Sequence, residues 1–169
     1  MNYSTLNTCD CANGEGVRVS LFVSGCPHKC KGCFNPEAWN YDFGKGFNNN
    51  VMDDILWAIE KPYIQGLTLL GGEPLAQKNQ DAIVYIVKQC KKELPNKDIW
   101  CYTGYTYEEI KEHPALKYID VLIDGRYIEE ERDISLQFKG SRNQRIIDLN
   151  RTREEGCVKL WISSDGWRS

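Results

Sequence analysis

Residues 17–24 read Val-Arg-Val-Ser-Leu-Phe-Val-Ser, an apolar run that leads directly into a loop with Cys26, Cys30 and Cys33. The β-branched and aromatic residues of this run are typical of a strand. The C-x3-C-x2-C spacing places three thiolate ligands close together and predicts a metal site. An iron-sulfur cube needs a ligand on each of four irons, so three cysteines would leave one iron open for a small molecule.

Zinc is the alternative interpretation of these cysteines. A closed structural zinc site needs four ligands, commonly from two separated C-x2-4-C pairs, and the sequence has no second pair of that kind. A small zinc-binding interaction module would therefore take its fourth ligand from Cys9, Cys11 or His28. A permanent fourth thiolate from Cys9 or Cys11 would, in contrast, block the open iron of a cluster.

Composition limits the classes of partner. The chain has 169 residues and a formal net charge of -3, so we expect a single domain over residues 1–169. The absence of a long basic run argues against nucleic acid as a direct partner. No apolar stretch approaches the roughly 20 residues of a membrane span, and the first residues lack a signal-peptide pattern. These features predict a cytoplasmic protein that binds neither nucleic acid nor membrane.

Beyond the cysteine loop, predicted strands alternate with predicted helices. The apolar runs predict strands over residues 66–70, 98–103, 119–124, 145–149 and 158–163. Apolar residues at helical spacing predict helices over residues 50–60, 79–93 and 107–112. Because the earlier strands are continuous apolar runs, they favour a buried parallel sheet and the α/β class. Residues 33–50 are predicted to form a long ordered loop, and residues 129–133 a charged helical turn or loop.

A second motif, Gly71, Gly72, Glu73 and Pro74, follows the predicted strand 66–70. Ligands of α/β folds bind at such carboxyl ends of parallel strands. Two glycines allow close approach to the backbone and leave carbonyl oxygens to accept from a cationic amine. Glu73 offers a second acceptor, and Pro74 makes the turn rigid. An ordinary strand-to-helix turn is the alternative, since Gly-Gly and Pro are common there.

Together the two motifs resemble the radical S-adenosylmethionine (radical SAM) superfamily. The resemblance implies a partial, trimmed (β/α) barrel with mostly parallel strands, in which Cys26, Cys30 and Cys33 hold a [4Fe-4S] cluster. The open iron would bind the amino and carboxylate groups of S-adenosyl-L-methionine, and residues 71–74 would bind the amine. An electron from the cluster would then release a 5'-deoxyadenosyl radical. Many members have an aromatic residue before the last cysteine; here Gly32 stands there and would offer its backbone to the adenine.

Further segments resemble one particular family within this superfamily. Residues 13–26, 30–39, 121–127 (with Asp-Gly-Arg-Tyr) and 139–146 (with Ser-Arg-Asn-Gln-Arg) look like the family of activating proteins of the anaerobic ribonucleoside-triphosphate reductase. The likeness covers nearly the whole chain. It implies an enzyme, an oxidoreductase, that abstracts hydrogen from a glycine of the reductase large subunit and leaves a glycyl radical. The implied partners are this subunit and a flavodoxin-like or other low-potential electron donor, with no catalytic residue beyond the cluster and its cofactor.

Additional cofactor contacts are expected at the ends of later strands. Asp124 and Arg126 would lie near the methionine or ribose, where Arg126 would balance the methionyl carboxylate. A surface ion pair is the alternative for these two residues. Thr103 and Gly104 either line the pocket or simply end their strand.

The remaining polar residues receive structural interpretations. Cys90 and Cys101 are expected to be buried small hydrophobic residues, and Cys157 receives no role. His28 is expected to face solvent rather than bind metal. The polar residues at 143–145 either cap a turn or face the partner protein.

Two other functions stay open at this point. An activase of another glycyl-radical enzyme, of the formate-lyase type, or a radical enzyme acting on a small molecule would share the cysteine loop and residues 71–74. Such enzymes generally lack the segments around residues 124–127 and 141–145. The small zinc-binding module is the alternative from a different class.

Overall fold

The strand that precedes the cysteine loop, β2 (Val17–Val23), is the third strand of a seven-stranded sheet. The computed structural model describes residues 1–163. The other strands are β1 (Asn2–Asp10), β3 (Lys45–Gly46), β4 (Ile64–Gly71), β5 (Asp98–Tyr102), β6 (Val121–Asp124) and β7 (Arg145–Asp148). They are arranged in the order β3-β1-β2-β4-β5-β6-β7, so the sheet is open, with β3 and β7 at its edges.

Four helices connect these strands. They are α1 (Asn49–Ile59), α2 (Gln80–Glu93), α3 (Tyr107–Ile110) and α4 (Leu149–Glu155). Side-chain caps fix the starts of α1 and α3: the Asn48 side chain accepts from the Val51 N–H, and Thr106 and Glu109 form a capping box at α3. None of the helices in residues 1–163 combines the length and apolar character that crossing a bilayer requires.

The central strands confirm the predicted α/β class with mostly parallel strands. Neighbours β2 and β4, β4 and β5, and β5 and β6 are parallel, and helical connections return the chain to the same end of the sheet. The outer strands β1 and β7 run antiparallel to β2 and β6. An open sheet with this parallel centre is consistent with a partial barrel.

The sequence pattern missed β1, β3 and α4, and the strand that it predicted over residues 158–163 is reduced to bridge residues at Leu160 and Ile162. β1 carries mostly polar, half-exposed side chains and therefore lacks the apolar run used for prediction. Leu160 bridges Ile147 of β7, and hydrogen bonds from the Asp148 N–H to the Lys159 carbonyl and from the Trp161 N–H to the Ile146 carbonyl, both at 2.9 Å, flank this bridge. The loop predicted over residues 33–50 contains a short 3-10 turn (Pro36–Trp39) and β3.

The two faces of the sheet differ in character. One face packs on α1 and α2 through a large apolar core that includes Leu21, Leu69, Ile55 and Ile86. The opposite face is partly polar and carries Arg18, Ser20, Thr68 and an aromatic cluster of Trp100, Trp161 and Phe138. The apolar core therefore lies on the helical face, and buried polar groups lie on the other.

Arg18 is the largest charged group in the interior and is fully buried. Its Nη2 atom donates to Asp98 Oδ1 at 2.5 Å, and its Nε atom donates to the Thr68 hydroxyl at 2.7 Å. The guanidinium also lies 5.1 Å from the centre of the Trp100 ring. These contacts join β2, β4 and β5 through one side chain.

Replacing Arg18 with methionine is expected to lower the free energy of unfolding by about 3 kcal/mol, because Asp98 and Thr68 lose their charged partner. Chemical denaturation of the full chain measures this change. Lys92→Ala is the matched control, since its ion pair with Glu93 is exposed and such pairs contribute about 0–1 kcal/mol. Equal effects of the two substitutions would contradict the role given to Arg18.

Candidate functional site

The carboxyl ends of the four parallel strands lie side by side. They form one edge of the sheet, the edge at which these strands end and not an outer strand. The cysteine loop follows β2, residues 71–74 follow β4, residues 103–104 follow β5 and residues 124–127 follow β6. Parallel strands with helical connections bring such segments together whatever their separation in sequence. The structure thus places all four groups of predicted site residues at this edge.

Backbone hydrogen bonds shape the cysteine loop. The Cys33 N–H donates to the Cys30 carbonyl at 3.2 Å, which forms a tight turn between these two ligands. At the start of the loop, the Cys26 N–H donates to the Trp39 carbonyl at 3.1 Å. All three cysteines are half-buried and free of disulfides. The loop therefore holds its thiols in a fixed and partly shielded place.

The environment of the thiols suits ligands that lose their protons to a metal. Burial raises the pKa of Cys26, although the His28 and Lys29 N–H groups donate to its sulfur. Burial and the nearby Cys33 raise the pKa of Cys30, whose sulfur accepts from the Tyr127 N–H. A coordinating metal deprotonates a thiol despite such burial. N–H groups directed at sulfur also tune the potential of an iron-sulfur cluster.

The turn at residues 71–74 packs directly on the cysteine loop. The Gly72 N–H donates to the Val23 carbonyl at 2.7 Å, and the Glu73 N–H donates to the Gly25 carbonyl at 2.8 Å. A Cβ atom at Gly72 would lie 2.6 Å from the Gly25 oxygen, and Gly71 has a φ of +108°. Both glycines are therefore required by the close approach of two backbone segments. The two predicted motifs form one unit.

Glu73 is buried and accepts hydrogen bonds from several elements. Its Oε1 atom accepts from the Leu75 N–H at 2.9 Å and from the Thr103 hydroxyl at 2.8 Å. Its Oε2 atom accepts from the Gly104 N–H at 2.7 Å and lies 2.8 Å from His28 Nε2. The carboxylate thus links the ends of β4 and β5 to the cysteine loop.

The expectation that His28 faces solvent is wrong. Its side chain is only 3% exposed, and its ring packs edge-to-face on Tyr105 with centroids 4.4 Å apart. The cysteine loop folds over the ends of β4 and β5, so its third residue points inward. The sequence of the loop alone does not indicate in which direction the His28 side chain points.

Asn79 was missed by the sequence analysis as a site residue. Its buried side-chain amide donates to the Ser24 and Glu73 carbonyls, both at 3.0 Å. Asn79 directly precedes α2, where an asparagine usually caps the helix, but its side chain makes no cap hydrogen bond. It instead makes a second connection between the cysteine loop and the turn. The asparagine at the start of a predicted helix was the only available signal.

The polar groups predicted on β5 and β6 already have protein partners. Thr103 donates its hydroxyl proton to Glu73. The buried Asp124 carboxylate accepts from the Tyr107 N–H at 2.8 Å and from the Arg145 guanidinium. Asp124 and Glu108 hydrogen bonds raise the pKa of Arg145. Asp124 is therefore paired with Arg145 rather than with Arg126.

Residues 125–127 are held against the cysteine loop. The Asn143 side chain donates to the Arg126 carbonyl at 2.8 Å, and the Gln144 side chain donates to the Gly125 carbonyl at 3.0 Å. Gln144 also caps its own turn by accepting from the Gly140 N–H. Arg126 itself is exposed, and its charge opposes the rise that burial and Cys33 cause in the pKa of the Cys30 thiol. Two of the segments that resemble the reductase-activating proteins, residues 121–127 and 139–146, thus contact each other.

Gly32 is exposed and lies beside the Glu129 side chain. Its φ is +70°, and a Cβ atom there would lie 2.6 Å from the Glu129 carboxylate carbon. In the same loop, the exposed Lys31 forms an ion pair with Glu130 at 2.9 Å. The backbone conformation here favours glycine, so an aromatic residue at this position would be strained and would require the Glu129 side chain to move.

The other cysteines do not take part in the site. Cys90 and Cys101 are buried as expected, and burial raises the pKa of Cys90 to about 12. Cys9 and Cys11 are exposed. They lie at the amino end of β2, because Asp10 pairs with Arg18, whereas the cysteine loop follows the other end. Neither is placed to serve as a fourth ligand.

The residues at this edge fit a [4Fe-4S] cluster with a bound small molecule. Three thiols form the donor set, and the buried Ser24 hydroxyl has no hydrogen-bond partner among residues 1–163. In that same part of the chain, no three His, Cys, Asp or Glu side chains are grouped around one metal-ion position. A four-iron cube spreads its ligands over separate irons and does not require such a group.

Comparisons with known proteins agree with this geometry. The model of the family described as a 4Fe-4S single cluster domain matches residues 12–147. The anaerobic ribonucleoside-triphosphate reductase-activating protein of Enterobacteria phage T4 is 43% identical over 169 residues, covering 99% of both chains. The proteins of that name from Haemophilus influenzae and Escherichia coli are 45% and 38% identical, covering 86% and 88% of this chain and 97% and 99% of theirs.

Proposed function

Since the chain belongs to the family of anaerobic ribonucleoside-triphosphate reductase-activating proteins, we propose that it activates that reductase as a radical SAM enzyme. When bound, the cluster would supply the electron for cleavage of S-adenosyl-L-methionine, and that cleavage would provide the group that abstracts a hydrogen atom from a reductase glycine. The observation that carries this proposal is the meeting of the cysteine loop with residues 71–74 at one sheet edge.

The residues divide this work among themselves. Cys26, Cys30 and Cys33 would hold three irons of the cluster, which would leave the fourth iron for the amino acid end of S-adenosyl-L-methionine. The backbone carbonyls of residues 71–72 accept from its amine. The protein thereby binds and orients the groups that carry the chemistry.

Residues at the neighbouring strand ends surround the cofactor in this proposal. Arg126 is exposed close to Cys30 and offers its charge to the methionyl carboxylate. The backbone of Gly32 faces the adenine. Thr103 and Asp124 hold the pocket wall through Glu73 and Arg145.

The partner assignments follow from the same function. The reductase large subunit presents the glycine, and Phe34, which is fully exposed directly after Cys33, lies where that subunit would dock. A flavodoxin-like or other low-potential donor supplies the electron. We place the protein in the cytoplasm, as a single domain over residues 1–169.

Mixing the reconstituted protein with the anaerobic reductase large subunit, S-adenosyl-L-methionine and a low-potential reductant is expected to produce a glycyl radical. Electron paramagnetic resonance at low temperature detects this radical directly. It requires S-adenosyl-L-methionine, because the hydrogen-abstracting group comes from that molecule. Mixtures without it, or without the reductase, serve as controls.

The outcome also separates the alternative functions. Release of 5'-deoxyadenosine without a glycyl signal would contradict the reductase as partner, and a signal on a formate-lyase type enzyme instead would identify another activase. Zinc without iron or sulfide in the purified protein would favour the zinc-binding module.

A further inference from the structure

We propose that His28 is a positioning residue that fixes the cysteine loop to the S-adenosyl-L-methionine site through Glu73. The Glu73 carboxylate is accordingly committed to this connection and does not bind the cofactor amine. This inference rests on the proposed function. It assigns His28 a role and changes the role that the resemblance implied for Glu73.

The acceptor capacity of Glu73 is the first argument. A carboxylate has about four lone-pair positions for hydrogen bonds, and Glu73 has four partners in the protein. The backbone N–H groups of Leu75 and Gly104 can only donate. The Thr103 hydroxyl accepts from the Tyr105 N–H at 3.2 Å, so its own proton is directed to Glu73. No position remains for a cofactor amine.

The contact with Glu73 determines which ring nitrogen of His28 carries a proton. Because a carboxylate only accepts, His28 Nε2 must carry a proton and donate it to Glu73 Oε2 across 2.8 Å. Both side chains are almost completely buried, with 3% of His28 and 1% of Glu73 exposed. A hydrogen bond to a charged group in such a place is costly to break, because the carboxylate would stay buried with a donor missing.

The shape of the pocket around His28 is the second argument. Its ring lies edge-to-face on Tyr105, and a Cβ atom at Gly104 would lie 2.4 Å from His28 Cδ2. Tyr105 and Gly104, which follow β5, therefore pack closely against the imidazole on two sides. Such a pocket requires both the ring at residue 28 and the glycine at residue 104.

The position of His28 in the chain gives this contact its function. It lies between the ligands Cys26 and Cys30, whereas Glu73 belongs to the turn that faces the cofactor amine. A bond between them sets the separation between cluster and turn. Partners that orient metal ligands in this indirect way typically change affinity or activity 10- to 100-fold, by order of magnitude, when they are removed.

The test is titration of the reduced, reconstituted full chain with S-adenosyl-L-methionine, followed through the electron paramagnetic resonance spectrum of the cluster. His28→Phe keeps the ring contact with Tyr105 but removes the donor. We expect it to weaken binding by about tenfold. His28→Gln, whose amide can donate to Glu73, is expected to restore most of the affinity. Lys31→Ala removes an exposed contact of the same loop and is expected to match the wild type.

A direct hydrogen bond between Glu73 and the cofactor amine predicts a different result for His28→Phe. If Glu73 bound the amine directly, loss of the His28 donor would free an acceptor, and binding by His28→Phe would be unchanged or tighter. That result would overturn the inference. A wild-type spectrum that does not respond to S-adenosyl-L-methionine would contradict the proposed function instead.

A double-mutant cycle tests the packing without the cofactor and decides the matter if His28→Phe does not take up iron. Gly104→Ala is expected to shift the urea unfolding midpoint of the full chain strongly downward, because its methyl group meets the His28 ring. In a His28→Ala background the same change is expected to have little further effect. Equal shifts in both backgrounds would overturn the inference.

Discussion

Replacing Cys30 with alanine is expected to abolish both cluster loading and the cleavage of S-adenosyl-L-methionine. Cys30 lies in the middle of the three-cysteine set, forms a turn with Cys33 and receives the Tyr127 N–H at its sulfur. Two remaining thiolates would leave two irons of the cube without protein ligands. Iron and sulfide analysis after anaerobic reconstitution should fall from about four irons per chain to background, and 5'-deoxyadenosine should be undetectable.

Cys157→Ala is the control for this prediction, because Cys157 is exposed and free and lies outside the cysteine loop. It is expected to load iron and cleave the cofactor like the wild type. A Cys30→Ala protein that kept a full cluster would contradict the ligand assignment and would require a ligand from elsewhere in the chain.

Replacing Gly72 with alanine is expected to have the second largest effect. The new Cβ atom would lie 2.6 Å from the Gly25 carbonyl oxygen and 2.9 Å from the Ala38 carbonyl oxygen, and neither backbone atom can rotate away. Overpacking of this kind costs about 1–3 kcal/mol. The turn would also move relative to the cysteine loop, and a shift of about 1 Å at a reacting site can lower the rate about 100-fold.

Denaturant unfolding and the rate of 5'-deoxyadenosine formation measure the two parts of this effect. Gly46→Ala is the matched control, because the nearest atom to its added Cβ would be Asn2 Oδ1 at 4.0 Å. It should leave both quantities close to wild type. A Gly72→Ala protein with normal stability and rate would show that the close packing of the two motifs is not required.

The strands and helices that carry the site were largely predictable, because each has a local signal. The apolar run of β2, the glycine turn after β4 and the periodicity of α2 depend on residues close together in sequence. β1 escaped prediction because its polar side chains are ordered by pairing with β2, a contact that its own sequence does not encode. Residues 158–163 show the converse, since their apolar pattern is not matched by a long partner strand.

The sequence by itself predicted the proposed ligand set, through the spacing of Cys26, Cys30 and Cys33, and the presence of a glycine turn at a strand end. Tertiary structure alone decided what the polar side chains do. His28 and Glu73 are separated by 45 residues yet are hydrogen bonded, and Asp124 selects Arg145 rather than Arg126. The physical reason is the separation along the chain over which each effect acts. Cysteine spacing and backbone preference act within a few residues, whereas the partner of a buried polar group is fixed only when parallel strands bring distant segments to the same edge.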